Sequence, residues 1–183
     1  GLVGCASIDD YLQGRIKKHE LTRAEKEEDR IRHVDACNAN TGPIFLAWRP
    51  EAEAEKIIGD WTVSHCPVYD FVSEDGIGHT VWVIDRPETI RSLEDQFQNA
   101  ADFYIADGHH RAASAVKVGL KRRKEHPDFS GEEEFNYFLA VLFPENQLKI
   151  WDYNRVVTDL GGLSEEEFLE KVKGRFQIRE MEQ

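Results

Sequence analysis

The stretch Ile105-Ala106-Asp107-Gly108-His109-His110-Arg111-Ala112-Ala113 sets a strand and a helix on either side of one glycine. Phe103 to Ala106 has the apolar character of a short strand. Beyond the glycine the pattern turns helical, with Ala112, Ala115, Val116, Gly119 and Leu120 at i, i+3, i+4, i+7 and i+8. Asp107 suits an N-cap. The small residues Ala112, Ala113, Ser114 and Ala115 allow the helix to lie close on a sheet. A chain built around this junction has to pack a helix on a sheet, so the expected class is α+β.

The remaining elements follow from the same periodicities. Leu2 to Ile8 and Arg15 to His19 read as strands of one hairpin. Thr22-Arg23-Ala24-Glu25 reads as a capping box for a helix to about Asn38, with Ala24, Ile31 and Val34 on its buried side. Ile44 to Trp48 is apolar enough for a strand buried on both faces. Glu51 to Ile58 is predicted as a short helix, and Thr62 to Val72 and Gly78 to Ile84 as strands around Glu74-Asp75-Gly76. Pro87 opens a helix with Ile90, Leu93 and Phe97 at helical spacing. Tyr137 to Phe143 and Leu148 to Val157 are predicted as a hairpin, and Ser164 to Glu167 as a second capping box. The expected architecture is one α+β domain over residues 1–183, a mixed sheet with helices packed on it.

Charge narrows the function classes. The 183 residues carry 23 Lys+Arg against 35 Asp+Glu, a formal net charge of -12. That balance argues against a general nucleic-acid binder, which needs basic surface to neutralise phosphates. One local basic group remains, Lys117, Lys121, Arg122, Arg123 and Lys124. The longest unbroken apolar run, Phe138 to Phe143, falls far short of the roughly 20 residues that a spanning helix requires, so no membrane partner is expected. Cys5, Cys37 and Cys66 are an odd number without C-x-x-C spacing, which predicts reduced thiols and a cytoplasmic location. No metal site is expected, because no two histidines fall at a ligand spacing.

The chemistry concentrates at 107–111. A helix start offers unpaired N–H groups and the positive end of the dipole to an anion. Gly108 permits unusual φ values and close approach of a ligand. Arg111 adds a planar fork for phosphate oxygens, and His109 and His110 can donate or shuttle protons. A second candidate is Lys17-Lys18-His19-Glu20, where His19 and Glu20 end a strand and suit acid–base work. Each has a plain structural alternative: an N-cap and ion pair at 107–111, and a solvated edge strand at 17–20. The charged run from Arg23 to Arg32 reads as a solvated helix face with pairs such as Glu28–Arg32.

Asp-Gly-His-His-Arg with its flanking Ile-Ala and alanines resembles the signature of the bacterial "domain of unknown function 1015" family. So do Lys18-His19-Glu20-Leu21-Thr22-Arg23, Asp29-Arg30-Ile31, Asn40-Thr41-Gly42-Pro43-Ile44-Phe45 and His79 to Asp85, in that family's order. The resemblance covers the chain to about residue 157 and implies the central portion of a longer protein. The motif is also similar to the phosphate-binding motif of the free serine kinases of the partition-protein-B/sulfiredoxin superfamily. That similarity implies a phosphate-binding strand–turn–helix, with Gly108, His109, His110 and Arg111 on nucleotide phosphates and Asp107, His19 and Glu20 as catalytic candidates. Glu20 takes the place of the base that accepts the substrate's hydroxyl proton.

Three functions are then expected in descending order. The first is a kinase of a small molecule such as free L-serine, a phosphotransferase using ADP or ATP with Mg²⁺. The second is a nucleotide-binding regulatory module of partition-protein type, with any DNA contact at Lys117 to Lys124. The third is a non-catalytic scaffold in which the motif is only a junction. Oligomeric state is not legible.

Overall fold

A computed structural model describes residues 1–22, 24–100 and 102–179. The chain divides into two compact units, Gly1–Leu148 and Lys149–Gln183. The first unit holds β1 (Leu2–Ser7), α1 (Ile8–Leu12), β2 (Ile16–Lys17), α2 (Ala24–Cys37), β3 (Ile44–Trp48) and α3 (Ala52–Ser64). It continues with β4 (Tyr69–Val72), β5 (Gly78–Val81), α4 (Pro87–Asn99), β6 (Phe103–Asp107), α5 (His109–Glu125) and β7 (Tyr137–Pro144). This is an α+β fold with helices packed on a mixed sheet.

The main sheet has the order β1-β7-β3-β6-β2, and β4 and β5 form a separate antiparallel pair. β2 runs parallel to β6, with Ile16 opposite Phe103, and β3 runs antiparallel to it. β2 and β6 therefore end at the same edge of the sheet, and β3 begins there. The segments after β2, before β3 and after β6 converge on that edge. Opposite Asp107, the register of β3 shifts between Phe45 and Leu46, so the junction falls at an irregularity in the ladder.

The core gathers Ile44, Leu46 and Trp48 of β3, Phe103 and Ile105 of β6, Phe138 and Ala140 of β7, and Ala112, Ala115 and Val116 of α5. Each large apolar side chain taken from water contributes about 1.5–3 kcal/mol. Gly119 lets α5 lie against the residues before β7, since a Cβ there would collide with the Phe135 carbonyl oxygen and Ile8 Cδ1. The expected stripe on α5 and the Pro87 helix form, and the strands expected at Thr62–Val72 and Gly78–Ile84 pair as a shorter hairpin, Tyr69–Val72 with Gly78–Val81.

Several expectations are corrected. Leu2–Ser7 and Ile16–Lys17 do not pair: β1 joins β7, and a five-residue helix capped by the Ser7 hydroxyl intervenes. α3 extends to Ser64, beyond the expected end at Ile58, because Trp61 is buried and its indole N–H reaches the Val83 carbonyl at 3.1 Å. β3 is sealed on one face and half-covered on the other. Among the described side chains of α2 the buried one is Glu27; Ala24 is exposed and Ile31 and Val34 are half-buried. Arg32 pairs at 3.9 Å with Asp29, one residue nearer along the helix than the expected Glu28. The capping box at Thr22 involves Arg23, which lies outside the described residues; the Thr22 hydroxyl donates to Glu27.

In the second unit, residues 149–160 have no strand, so the expected hairpin partner of β7 does not form. α6 (Glu165–Lys173) carries the reciprocal Ser164–Glu167 capping box expected of it. Among the described residues, no helix is long and apolar enough to cross a membrane.

Candidate functional site

Six of the seven residues singled out as candidates line one open cleft of about 520 Å³ at the converging edge: Glu20, Asp107, Gly108, His109, His110 and Arg111. The seventh, His19, packs its ring edge-on against His109 with centroids 4.4 Å apart. Glu25, Asp29 and Arg30 from the first turns of α2 complete the wall. From sequence, Glu25 is assigned to a capping box and Asp29 and Arg30 to the family resemblance and a solvated face, and none of the three is named as a site residue. Their helical spacing put them on one side of α2, but nothing local said which side would face the junction.

The turn itself is made by Gly108, whose φ of 97° and ψ of 28° lie in the left-handed region. Gly108, not Asp107, is the N-cap, and no side chain caps α5. The first bond of the helix runs from the Ala112 N–H to the Gly108 carbonyl at 2.9 Å. The N–H groups of His109, His110 and Arg111 are left without partners in the helix. Asp107 is free of capping and accepts from Arg111 Nη2 at 2.8 Å. The guanidinium folds back over the glycine: a Cβ at 108 would lie 3.0 Å from Arg111 Nη2.

Two polar atoms at this turn are buried without a hydrogen-bond partner among the described residues, Arg111 Nε and His110 Nδ1. A buried donor left unpaired costs about 1–3 kcal/mol. The first turn of α5 also lacks any acidic residue and carries Arg111 instead, a cation at the positive end of the helix dipole. Both features disfavour the turn as it stands, and an anion at this point would relieve both.

His109 is only 5 % exposed. Burial, and then the neighbouring His19, hold its imidazole below the usual histidine range, while Glu20 and Asp107 pull the other way. Its Nε2 accepts from the His19 backbone N–H at 3.5 Å, which places the ring proton on Nδ1, 3.7 Å from Glu20 Oε2. Glu20 is thus an exposed carboxylate held beside a neutral imidazole. On the other side, the loop before β3 runs near the stem of Arg111: a Cβ at Gly42 would lie 3.9 Å from Arg111 Cδ. The hydroxyl of Thr41 is held by His33 Nε2 at 3.1 Å.

Behind the cleft, Lys117 pairs with Glu27, Lys121 and Arg122 with Asp35, and Arg123 with Asp9. Four of the five basic residues of 117–124 are therefore matched within the fold. Cys5, Cys37 and Cys66 are free thiols, all exposed. Among the described residues, no three His, Cys, Asp or Glu side chains gather as a metal site.

The arrangement can hold an oxyanion against backbone N–H groups and Arg111, with a carboxylate nearby to take a proton. No curated protein and no solved structure matches the chain. A family model described as "Protein of unknown function (DUF1015)" matches residues 1–183, and the chain belongs to that family.

Proposed function

We propose that this chain binds the phosphates of a nucleotide at Gly108–Arg111 and acts as a phosphotransferase on the hydroxyl of a small molecule, free-serine-kinase-like, with ADP or ATP. The observation that carries the reading is the pair of buried, unpartnered nitrogens, Arg111 Nε and His110 Nδ1, at an uncapped helix start. Terminal phosphate oxygens would take the N–H groups of 109–111 and the guanidinium fork, leaving the phosphoryl group positioned and its charge compensated. The acceptor oxygen attacks the terminal phosphorus, the bond to the nucleotide breaks, and the hydroxyl proton passes to Glu20. Glu20 is exposed and free to do this, while neutral His109 steadies it through Nδ1–H. Mg²⁺ would arrive with the nucleotide and screen its oxygens, and the cleft's carboxylates are the hard ligands it prefers.

A partition-protein-type DNA contact has less support, because four of the five cations it would use are engaged with Glu27, Asp35 and Asp9. The test is calorimetric titration of ADP, ATP and CTP, each with Mg²⁺, into the chain and into Arg111→Ala. The expected result is saturable binding of at least one nucleotide, weakened tens-fold or more, about 2–3 kcal/mol, in a variant that stays folded. Incubation of the preferred nucleotide with hydroxyl amino acids should then yield a phosphorylated product. No binding of any of the three would leave the motif as a structural junction.

A further inference from the structure

We infer that Glu27 is a positioning residue for this cleft: through the Thr22 hydroxyl it holds the segment 18–22 so that His19 and Glu20 stay against His109. What Glu20 does from that position rests on the phosphotransferase reading; the positioning does not.

Among the described residues Glu27 is the one acidic side chain that is buried, 5 % exposed on a helix whose positions 24, 25 and 28–30 face water. A buried carboxylate is costly unless paired and hydrogen-bonded. Here it is held twice. The Lys117 ammonium of α5 pairs with one oxygen, and the Thr22 hydroxyl donates to the other at 2.6 Å. Lys117 and then Thr22 hold its carboxyl below the usual range against the burial that would raise it. The backbone of Glu27 is fixed too, its carbonyl accepting from the buried Ser114 hydroxyl at 3.2 Å, while that hydroxyl also reaches the His110 carbonyl at 2.7 Å. Glu27 is therefore bolted to α5 one turn from the site.

The segment it holds has little else to fix it. After β2 ends at Lys17, residues 18–22 have no regular structure, and Leu21 is 97 % exposed. At its start Lys18 Nζ lies over the Tyr11 ring, 4.5 Å from the centroid; from 19 onward the polar and ring contacts among the described residues are those of His19 and Glu20 on His109 and of Thr22 on Glu27. Remove the second and the first stands alone, a 3.5 Å hydrogen bond and a solvated 3.7 Å pair, each weak on its own. A chain of contacts runs from Lys117 through Glu27 and Thr22 to Glu20. The plain alternative is that Glu27 only fastens α2 to α5.

Thr22 separates the two, because changing it leaves the Glu27–Lys117 pair intact. The state of His109 reports on the segment directly: the His19 N–H on Nε2 keeps the ring proton on Nδ1, the minor tautomer of free neutral imidazole. The experiment is ¹⁵N NMR of histidine-labelled chain at about pH 8, where the ring is neutral, for the wild type, Thr22→Val and Thr22→Ser. We expect one Nδ1–H tautomer at His109 and a close His19 amide–His109 ring contact in the wild type. Both should be lost to a tautomer mixture in Thr22→Val and restored in Thr22→Ser. A wild-type His109 pattern in folded Thr22→Val would overturn the positioning role. With ATP and a hydroxyl acceptor, Thr22→Val should keep its nucleotide affinity and lose about ten-fold in turnover. If the wild type itself transfers no phosphate, the phosphotransferase reading fails while the NMR result still decides the positioning.

Discussion

The two ends of α5 treat their polar groups in opposite ways. At the C-terminal end, Arg123 makes a bidentate pair with Asp9 at 2.7 and 2.8 Å and donates to Asn136 Oδ1 at 2.6 Å. Lys121 and Arg122 share Asp35. These cations also lie at the negative end of the helix dipole, where they are favourable. At the N-terminal end the helix is uncapped, its glycine is left-handed, a cation sits at the positive pole, and two nitrogens are buried without partners. One helix thus shows a region whose hydrogen bonding is closed by the fold and a region left open. A fold that can satisfy the far end so fully has no general shortage of partners, so the open end is where the nucleotide of the proposed function would find its own.

The largest expected effect is at the closed end. Arg123→Ala removes the Asp9 pair and leaves Asn136, 2 % exposed, without its donor. Stability should fall by about 3 kcal/mol, read from urea unfolding, with nucleotide affinity in the folded fraction unchanged. A parallel loss of affinity would break the division between the ends. Gly108→Ala should do the reverse. Its φ of 97° costs an L-residue about 1–2 kcal/mol, and the new methyl would press on the Arg111 guanidinium 3.0 Å away. The stability loss should stay near that figure while affinity falls about ten-fold; an alanine variant binding as tightly as the wild type would show that the turn is not the anion's seat.

What the sequence made legible depended on whether the deciding forces were local. The junction at Gly108, the stripe on α5, Pro87 at the start of α4 and the Ser164 capping box are local signals, and all of these elements form. The partner of β2 was not legible, since two residues, Ile16 and Lys17, carry no register and sequence adjacency favours a hairpin. α1 is too short for a period, yet Ser7 with Asp9 and Asp10 behind it was a readable cap. The strand expected at 148–157 is rich in β-branched and aromatic residues, but no neighbouring strand fixes it. At the site, the candidate residues could be named from the motif blocks, and their meeting in one cleft depends on β2 and β6 running parallel. Glu27 was hidden because a buried acid looks like a surface one until Lys117, ninety residues away, is brought beside it.

The smallest expected effect separates the two ends by pH. At the closed end, the Ser130 backbone N–H at 2.7 Å, joined by that of Gly131 at 2.9 Å and by Asn136 Nδ2 at 3.0 Å, stabilises the Glu133 carboxylate. Its carboxyl is pulled from 4.5 down to about 2. The folded value lies below the unfolded one, so this contribution is complete above about pH 4.5 and is lost as pH falls toward 2. At the open end, burial holds His109 below 6.5, so the unfolded chain takes up the proton first. That contribution is complete above 6.5 and shrinks as pH falls from there toward the lowered folded value. Urea midpoints followed from about pH 7 downward should therefore differ between variants in different windows. The gap between wild type and Glu133→Gln should stay constant until about pH 4.5 and then narrow, whereas His109→Asn should flatten the slope just below 6.5. A Glu133→Gln gap that persists unchanged toward pH 3, or a slope below 6.5 that survives in His109→Asn, would mean that the ends are not held by the charges assigned to them.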